Sequence, residues 1–204
     1  MSVPKYRLDA IETIGRKILQ KYDPALLDGP PQAVPIETII ETKFDLTLEY
    51  HCLRKNGSIL GETIFDEGAA ILYDQDEKRY RLIAVKAGTI LVEERLCVDR
   101  LLGRLRFTCA HELGHWVLHQ KLYSGTGDVA AYEGKTSLDE SYGLVEWQAD
   151  ALATALLMPL PQIKRSFYRL RAGRSHEHLV AEMARTFQVS KQAMRIRLET
   201  RNLI

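Results

Sequence analysis

The stretch Thr108-Cys109-Ala110-His111-Glu112-Leu113-Gly114-His115 contains the pattern HExxH. On a helix, residues four apart lie one turn apart on the same face, so His111 and His115 can offer neutral imidazoles to a single zinc ion. Glu112 is rotated by about 100° from His111. It can therefore stand beside the metal without ligating it and accept a proton from an attacking water. Chance supplies on the order of 0.01 such patterns in a chain of this composition. The bland alternative is a solvated helix face with two incidental histidines.

A third ligand separates the two readings. Glu146-Trp147-Gln148-Ala149-Asp150 opens the next helical segment, and Glu146 and Asp150 are again one turn apart. Glu146 completes a His₂Glu set with the fourth position left for water, as catalytic rather than structural zinc requires. Asp150 suits the far nitrogen of a ligating histidine, His111 first, where it fixes the tautomer and raises basicity. Ala149, Leu152, Ala153, Leu156 and Leu157 mark this segment as buried, an expensive place for unpaired carboxylates. A hydrolase of this kind gains about 3 kcal/mol from a donor aimed at the oxyanion. Tyr142, Tyr132 and Tyr123 in the intervening loop are candidates, as is His119, and the sequence does not choose among them. His119 also suits the negative end of the helix dipole. Cys109, two positions before His111, points to the opposite side of the helix. His51, His176 and His178 have no partner at ligand spacing.

These residues need a scaffold. Leu8, Ile11, Ile14, Ile18 and Tyr22 predict an amphipathic helix over 5–22, and Pro35 suits the first turn of a short helix carrying Ile36, Ile39 and Ile40. The period then falls to two over 45–53, and Asn56-Gly57 reads as a hairpin turn. Further strands are expected at 59–65, 69–73, 80–85 and 89–92, in an order the pattern leaves open. After Leu96 the text is helical, at 102–120, 145–158, 175–187 and 190–200, with Pro159 and Pro161 ending the second of these. The glycine-punctuated segment 121–144 is long for a loop, and long ordered loops often carry function. The class expected is α+β and zincin-like: a small mixed or antiparallel sheet packed on the HExxH helix, with a helical C-terminal part. One domain over 1–204 is expected, comprising N-terminal helices (1–44), sheet (45–95), zinc-binding helices and loop (102–160) and C-terminal helices (164–204).

Composition excludes several other classes. The 204 residues are 46% apolar and 27% charged, ordinary globular proportions. Three cysteines fit a reducing compartment better than a disulfide framework. The charged N-terminus lacks the apolar core of a signal peptide. The longest charge-free stretch, 151–163, holds two prolines and falls short of the roughly 18 residues a bilayer span needs. A cytoplasmic protein with no membrane partner is expected. The net charge of +1 hides an asymmetry: 164–201 has ten basic and three acidic residues, net +7, leaving the remainder at −6. The text around Leu179, Met183, Val189 and Ala193 resembles a helix-turn-helix, so DNA binding is a rival reading of this basic part. The same spacing serves two helices packed on a core, and that reading is preferred.

The chain resembles the ImmA/IrrE-type zinc metallopeptidases. The resemblance rests on Arg106-Phe107-Thr108 leading into AHELGHWVLH, on Glu146 with Ala149 and Ala153, on Leu156-Leu157-Met158-Pro159, and on the closing MARTFQVSKQAMRIRL. It is strong over about residues 104–200. It departs in the longer polar region 74–102, and in Trp147-Gln148-Ala149-Asp150, where an Ala-Asn pair is more usual. The resemblance implies a gluzincin-like endopeptidase with zinc on His111, His115 and Glu146 and with Glu112 as general base. It implies a protein substrate, since several members cut helix-turn-helix repressors and so switch on the genes these silence. Two other classes compete: a DNA- or repressor-binding regulatory module with an inert zinc site, and a zinc hydrolase of non-peptide amides.

Overall fold

The computed structural model describes residues 3–125 and 140–204. Its first helix, α1 (Leu8–Tyr22), buries Ile11, Gly15 and Leu19, one per turn. Two short helices follow, α2 (Ala25–Asp28) and α3 (Ile36–Phe44). Pro35 stands just before α3 rather than inside its first turn. Five strands come next: β1 (Thr47–His51), β2 (Gly61–Thr63), β3 (Gly68–Asp74), β4 (Arg79–Val85) and β5 (Thr89–Glu93). After two short 3-10 turns (Glu94–Leu96 and Asp99–Leu101) come α4 (Leu102–Tyr123), α5 (Glu140–Leu157), α6 (Leu160–Leu170), α7 (His176–Phe187) and α8 (Lys191–Thr200). The fold is α+β with small sheets, as expected.

The sheet is mixed, in the order β1-β5-β2, with β1 parallel and β2 antiparallel to β5. All five β5 residues are buried, as befits a central strand covered on both faces. Asn56-Gly57 does not close a hairpin between paired strands, because β5 separates β1 from β2. The dipeptide makes a tight turn within their connection, where Gly57 takes φ +66° and donates its N–H to the Arg54 carbonyl. The true hairpin is β3–β4, a separate two-stranded sheet whose inner face joins Leu53, Ile64 and Leu91 in a small apolar cluster.

The main core gathers Ile11, Ile39, Leu113, Leu152, Phe187 and Leu198 from both ends of the chain. Ser175 and Ser190 cap α7 and α8 by accepting the N–H groups of His178 and Ala193, which removes orphan donors at each start. Part of the C-terminal positive charge folds inward. Arg197, 2% exposed, donates to the Met158 carbonyl at 2.7 Å, and both Arg197 and Arg201 pair with Glu12 of α1. Helix α6 departs from expectation: Pro161 occupies its first turn, where a missing N–H leaves nothing unsatisfied.

Candidate metal centre

Helices α4 and α5 cross at Gly114, and the crossing distance sets the site. A Cβ at Gly114 would lie 2.9 Å from the Ala149 carbonyl oxygen and 3.0 Å from its Cα. Only a residue without a side chain lets the two backbones meet so closely. The contact brings Glu146 and Asp150, which flank Ala149 on α5, alongside His111 and His115, which flank Gly114 on α4. His111 Nε2 and His115 Nε2 are 2.9 Å apart. Glu146 Oε2 lies 3.3 Å from the first and Oε1 lies 3.4 Å from the second. One ligand atom from each of the three residues falls within 4.8 Å of the others.

The surroundings fit a cation at this point. His111 Nδ1 donates to Asp150 Oδ1 at 2.8 Å, which turns Nε2 toward Glu146 and His115. His115 Nδ1 is engaged by His119 Nδ1 at 3.2 Å. Glu146 Oε1 is buried and accepts no hydrogen bond from the described residues. Two imidazole nitrogens and a carboxylate oxygen therefore converge, the donor set of catalytic zinc sites. Burial disfavours a charge on His111, but the Asp150 and Glu146 carboxylates outweigh it and raise its pKa to about 10. Burial, with His111 and His119 nearby, holds His115 well below the usual range.

Glu112 faces the neighbouring space, 6% exposed, between α4 and strand β2. The Thr63 hydroxyl lies 2.7 Å from Glu112 Oε2 and 3.0 Å from the Glu112 carbonyl, so it can donate to either. Gly61 faces the same carboxyl, where an added Cβ would meet Glu112 Oε1 at 2.6 Å. Burial pushes Glu112 up to about 7, helped by the Glu146 and Glu62 charges and opposed by His111 and by the Thr63 bond. A cavity of about 360 Å³ runs past these groups, with β2 on one wall, α4 on the other and Tyr142 and Glu146 at one side.

Tyr142 thus lines the cavity, its phenol raised by burial and by the Glu146 carboxylate. Tyr132 lies outside the described residues. Tyr123 is 5% exposed and packs on Phe65 with ring centroids 5.2 Å apart, away from the cavity lining. His119 corrects an expectation. It is fully buried behind His115 and bonded to Gln148, so it is not directed at the cavity as an oxyanion donor. Cys109 is buried on the other side of α4, and burial pushes its thiol up. His51 pairs with Glu49 at 3.1 Å, outside the site. The sequence reading missed Thr63, Gly61 and Gln148. Nothing in Gly61-Glu62-Thr63 distinguishes these residues from any short strand.

The sequence model of the IrrE N-terminal-like domain family, Peptidase M78, matches residues 74–199. The chain belongs to this family. The match to the IrrE N-terminal-like domain takes in both helices of the centre, while β1 and β2 precede it. The Glu112 wall formed by Gly61 and Thr63 therefore lies outside the matched segment. Membership agrees with a cluster able to hold a metal, since M78 domains are typically metal-dependent. No curated protein matches the sequence. Among solved structures, a Mycobacterium tuberculosis transcriptional regulator superposes with a TM-score of 0.54 at 15% identity. The alignment covers 95% of this chain and 47% of that one, so the chain spans about half the regulator's length and shares its fold. Among the described residues, no helix is long and apolar enough to cross a membrane.

Proposed function

We propose that this M78 domain is a zinc-dependent endopeptidase. The observation that carries the reading is the convergence of His111, His115 and Glu146 within 4.8 Å beside a buried Glu112. His111, His115 and Glu146 would hold the ion. Zinc bound there supplies a Lewis acid that polarises a carbonyl and acidifies a water molecule.

The chain's own groups account for the rest. Glu112, buried beside the three ligands, takes the proton of the attacking water and passes it to the departing amine. Thr63 holds the Glu112 carboxyl to one side, which keeps it a base rather than a fourth ligand. The outer strand β2 lines the cavity and offers its edge, unpaired among the described residues, to an extended peptide. Tyr142, on the cavity wall, is the donor for the developing oxyanion.

The substrate class follows from the family resemblance: a protein, and specifically a helix-turn-helix repressor. The neighbouring structure's description as a transcriptional regulator supports a regulatory setting. The inward pairing of Arg197 and Arg201 with Glu12 supports reading the basic C-terminal helices as packing elements rather than a DNA-binding module. The deciding experiment measures zinc content and cleavage of a co-encoded repressor, for the wild type and for Glu112→Gln. Full zinc occupancy with turnover lowered by about 10² or more is expected. Equal turnover in both proteins would remove Glu112 from the mechanism.

A further inference from the structure

Behind the centre, the hydrogen bonds of His115 continue into the protein along a line the proposed reaction does not use. His115 Nδ1 meets His119 Nδ1 at 3.2 Å, and His119 Nε2 meets Gln148 Oε1 at 3.0 Å. Gln148 Nε2 donates to the Pro4 carbonyl at 2.6 Å. His119 and Gln148 are completely buried.

The direction of each bond follows from the far end. A carbonyl only accepts, so the Pro4 oxygen requires the amide nitrogen of Gln148 and turns Oε1 toward His119. Oε1 in turn only accepts, so His119 carries its proton on Nε2. A second proton on His119 would place an imidazolium at zero exposure with no carboxylate bonded to it among the described residues. Its Nδ1 is thus a lone pair, and the proton between the two histidines belongs to His115 Nδ1. His115 Nε2 is then the unprotonated nitrogen, 2.9 Å from His111 Nε2.

We propose that His119 and Gln148 are positioning residues: the chain from the Pro4 carbonyl through Gln148 and His119 holds His115 as its Nδ1–H tautomer and presents Nε2 to the metal. The proposal rests on reading His115 as a ligand, but the tautomer itself is a property of the protein without metal. It also ties the centre to the segment before α1, where Val3 packs on the cluster of Phe65, Tyr123 and Val145. Displacing that segment would strip Gln148 of the acceptor that orients it.

The test is nitrogen NMR of the imidazoles in the full chain after chelation, followed by zinc titration against a competing chelator. The wild type should show His115 protonated on Nδ1. Gln148→Met, close in size but unable to accept from His119 or donate to Pro4, should admit the Nε2–H form and weaken zinc binding about tenfold. His119→Gln, whose side-chain oxygen can still accept from His115, should keep the tautomer and most of the affinity. A wild-type His115 protonated on Nε2 would overturn the relay. So would a folded Gln148→Met with unchanged tautomer and zinc affinity. The wild-type spectrum needs no substitution, so the proposal stays refutable even if Gln148→Met does not fold. A wild type that shows the expected tautomer, lost in Gln148→Met, yet takes up no zinc would uphold the relay and sink the metal reading instead.

Discussion

The two histidines of the centre sit one turn apart on one helix and are supported in opposite ways. His111 is backed by Asp150, a carboxylate whose side chain is 56% exposed. His115 is backed by His119, neutral and fully buried. Outward, a charge is affordable because water shares its solvation, and the carboxylate strengthens the imidazole as a base. Inward, a charge would be stranded, so orientation comes from a neutral chain of donors and acceptors. The outer half of the centre is thus built by electrostatics and the inner half by packing, and they should fail differently.

The largest difference should appear on deletion. His111→Ala and His115→Ala should both lose stoichiometric zinc by metal analysis. His115→Ala should also cost about 3 kcal/mol in the chelated protein. It opens a cavity in close-packed surroundings and leaves His119 Nδ1 without its donor. His111→Ala forfeits the proton that Asp150 and Glu146 hold, so by denaturant titration its cost should shrink as pH rises from 6.5 to 10, while the cost of His115→Ala should change less. The same pH dependence in both would erase the distinction between the two sides.

Glu112 belongs to the inner side and should show it through pH. Its folded pKa of about 7 lies above the ordinary value of 4.5, so between these limits the folded chain binds more protons than the unfolded one. Stability therefore falls as pH rises through this window. Glu112→Gln removes that loss. In chelated protein the variant should match the wild type below about pH 4.5 and exceed it by about 2 kcal/mol at pH 8. Thermal unfolding at the two pH values measures this, and a constant difference would contradict burial as the cause.

What the sequence could disclose followed the same division between local and distant. The pairs His111/His115 and Glu146/Asp150 are each set by i,i+4 spacing on one helix, which is written in the chain, whereas the contacts between the pairs depend on how α4 crosses α5. Thr63 reaches Glu112 across 49 residues, and only because β2 is the antiparallel outer neighbour of β5. No local pattern encodes that register. Asn56-Gly57 misled for the same reason: the turn is real, but which strands pair depends on β5, more than thirty residues further on. Gln148 read as one polar residue on a helix of apolar ones, since its partners Pro4 and His119 come from different elements. Helix α6 was lost to a rule applied too broadly, because proline breaks a helix interior but not its first turn.

The smallest effect sharpens the outer side alone. In the chelated chain Asp150 and Glu146 hold a proton on His111 up to about pH 10, and this raised pKa contributes stability fully present below about 6.5 and lost as pH rises through 10. Zinc must displace that proton to reach Nε2. Calorimetric titration at pH 8 in buffers of different ionisation enthalpy should therefore report about one proton released per zinc from this group. Asp150→Asn keeps the side chain's shape but removes the nearer negative charge, so His111 is less protonated at pH 8 and less proton is released. Two consequences oppose each other in affinity: zinc competes with fewer protons, yet the imidazole is a poorer donor and less firmly aimed. The loss of a partner bonded to a ligating histidine generally weakens binding 10- to 100-fold. Because Asp150 is more than half exposed, the lower end of that range, about tenfold, is expected. Undiminished proton release from Asp150→Asn would mean that Glu146 alone charges His111, and the outer side would then owe its basicity to a ligand rather than to the carboxylate behind it.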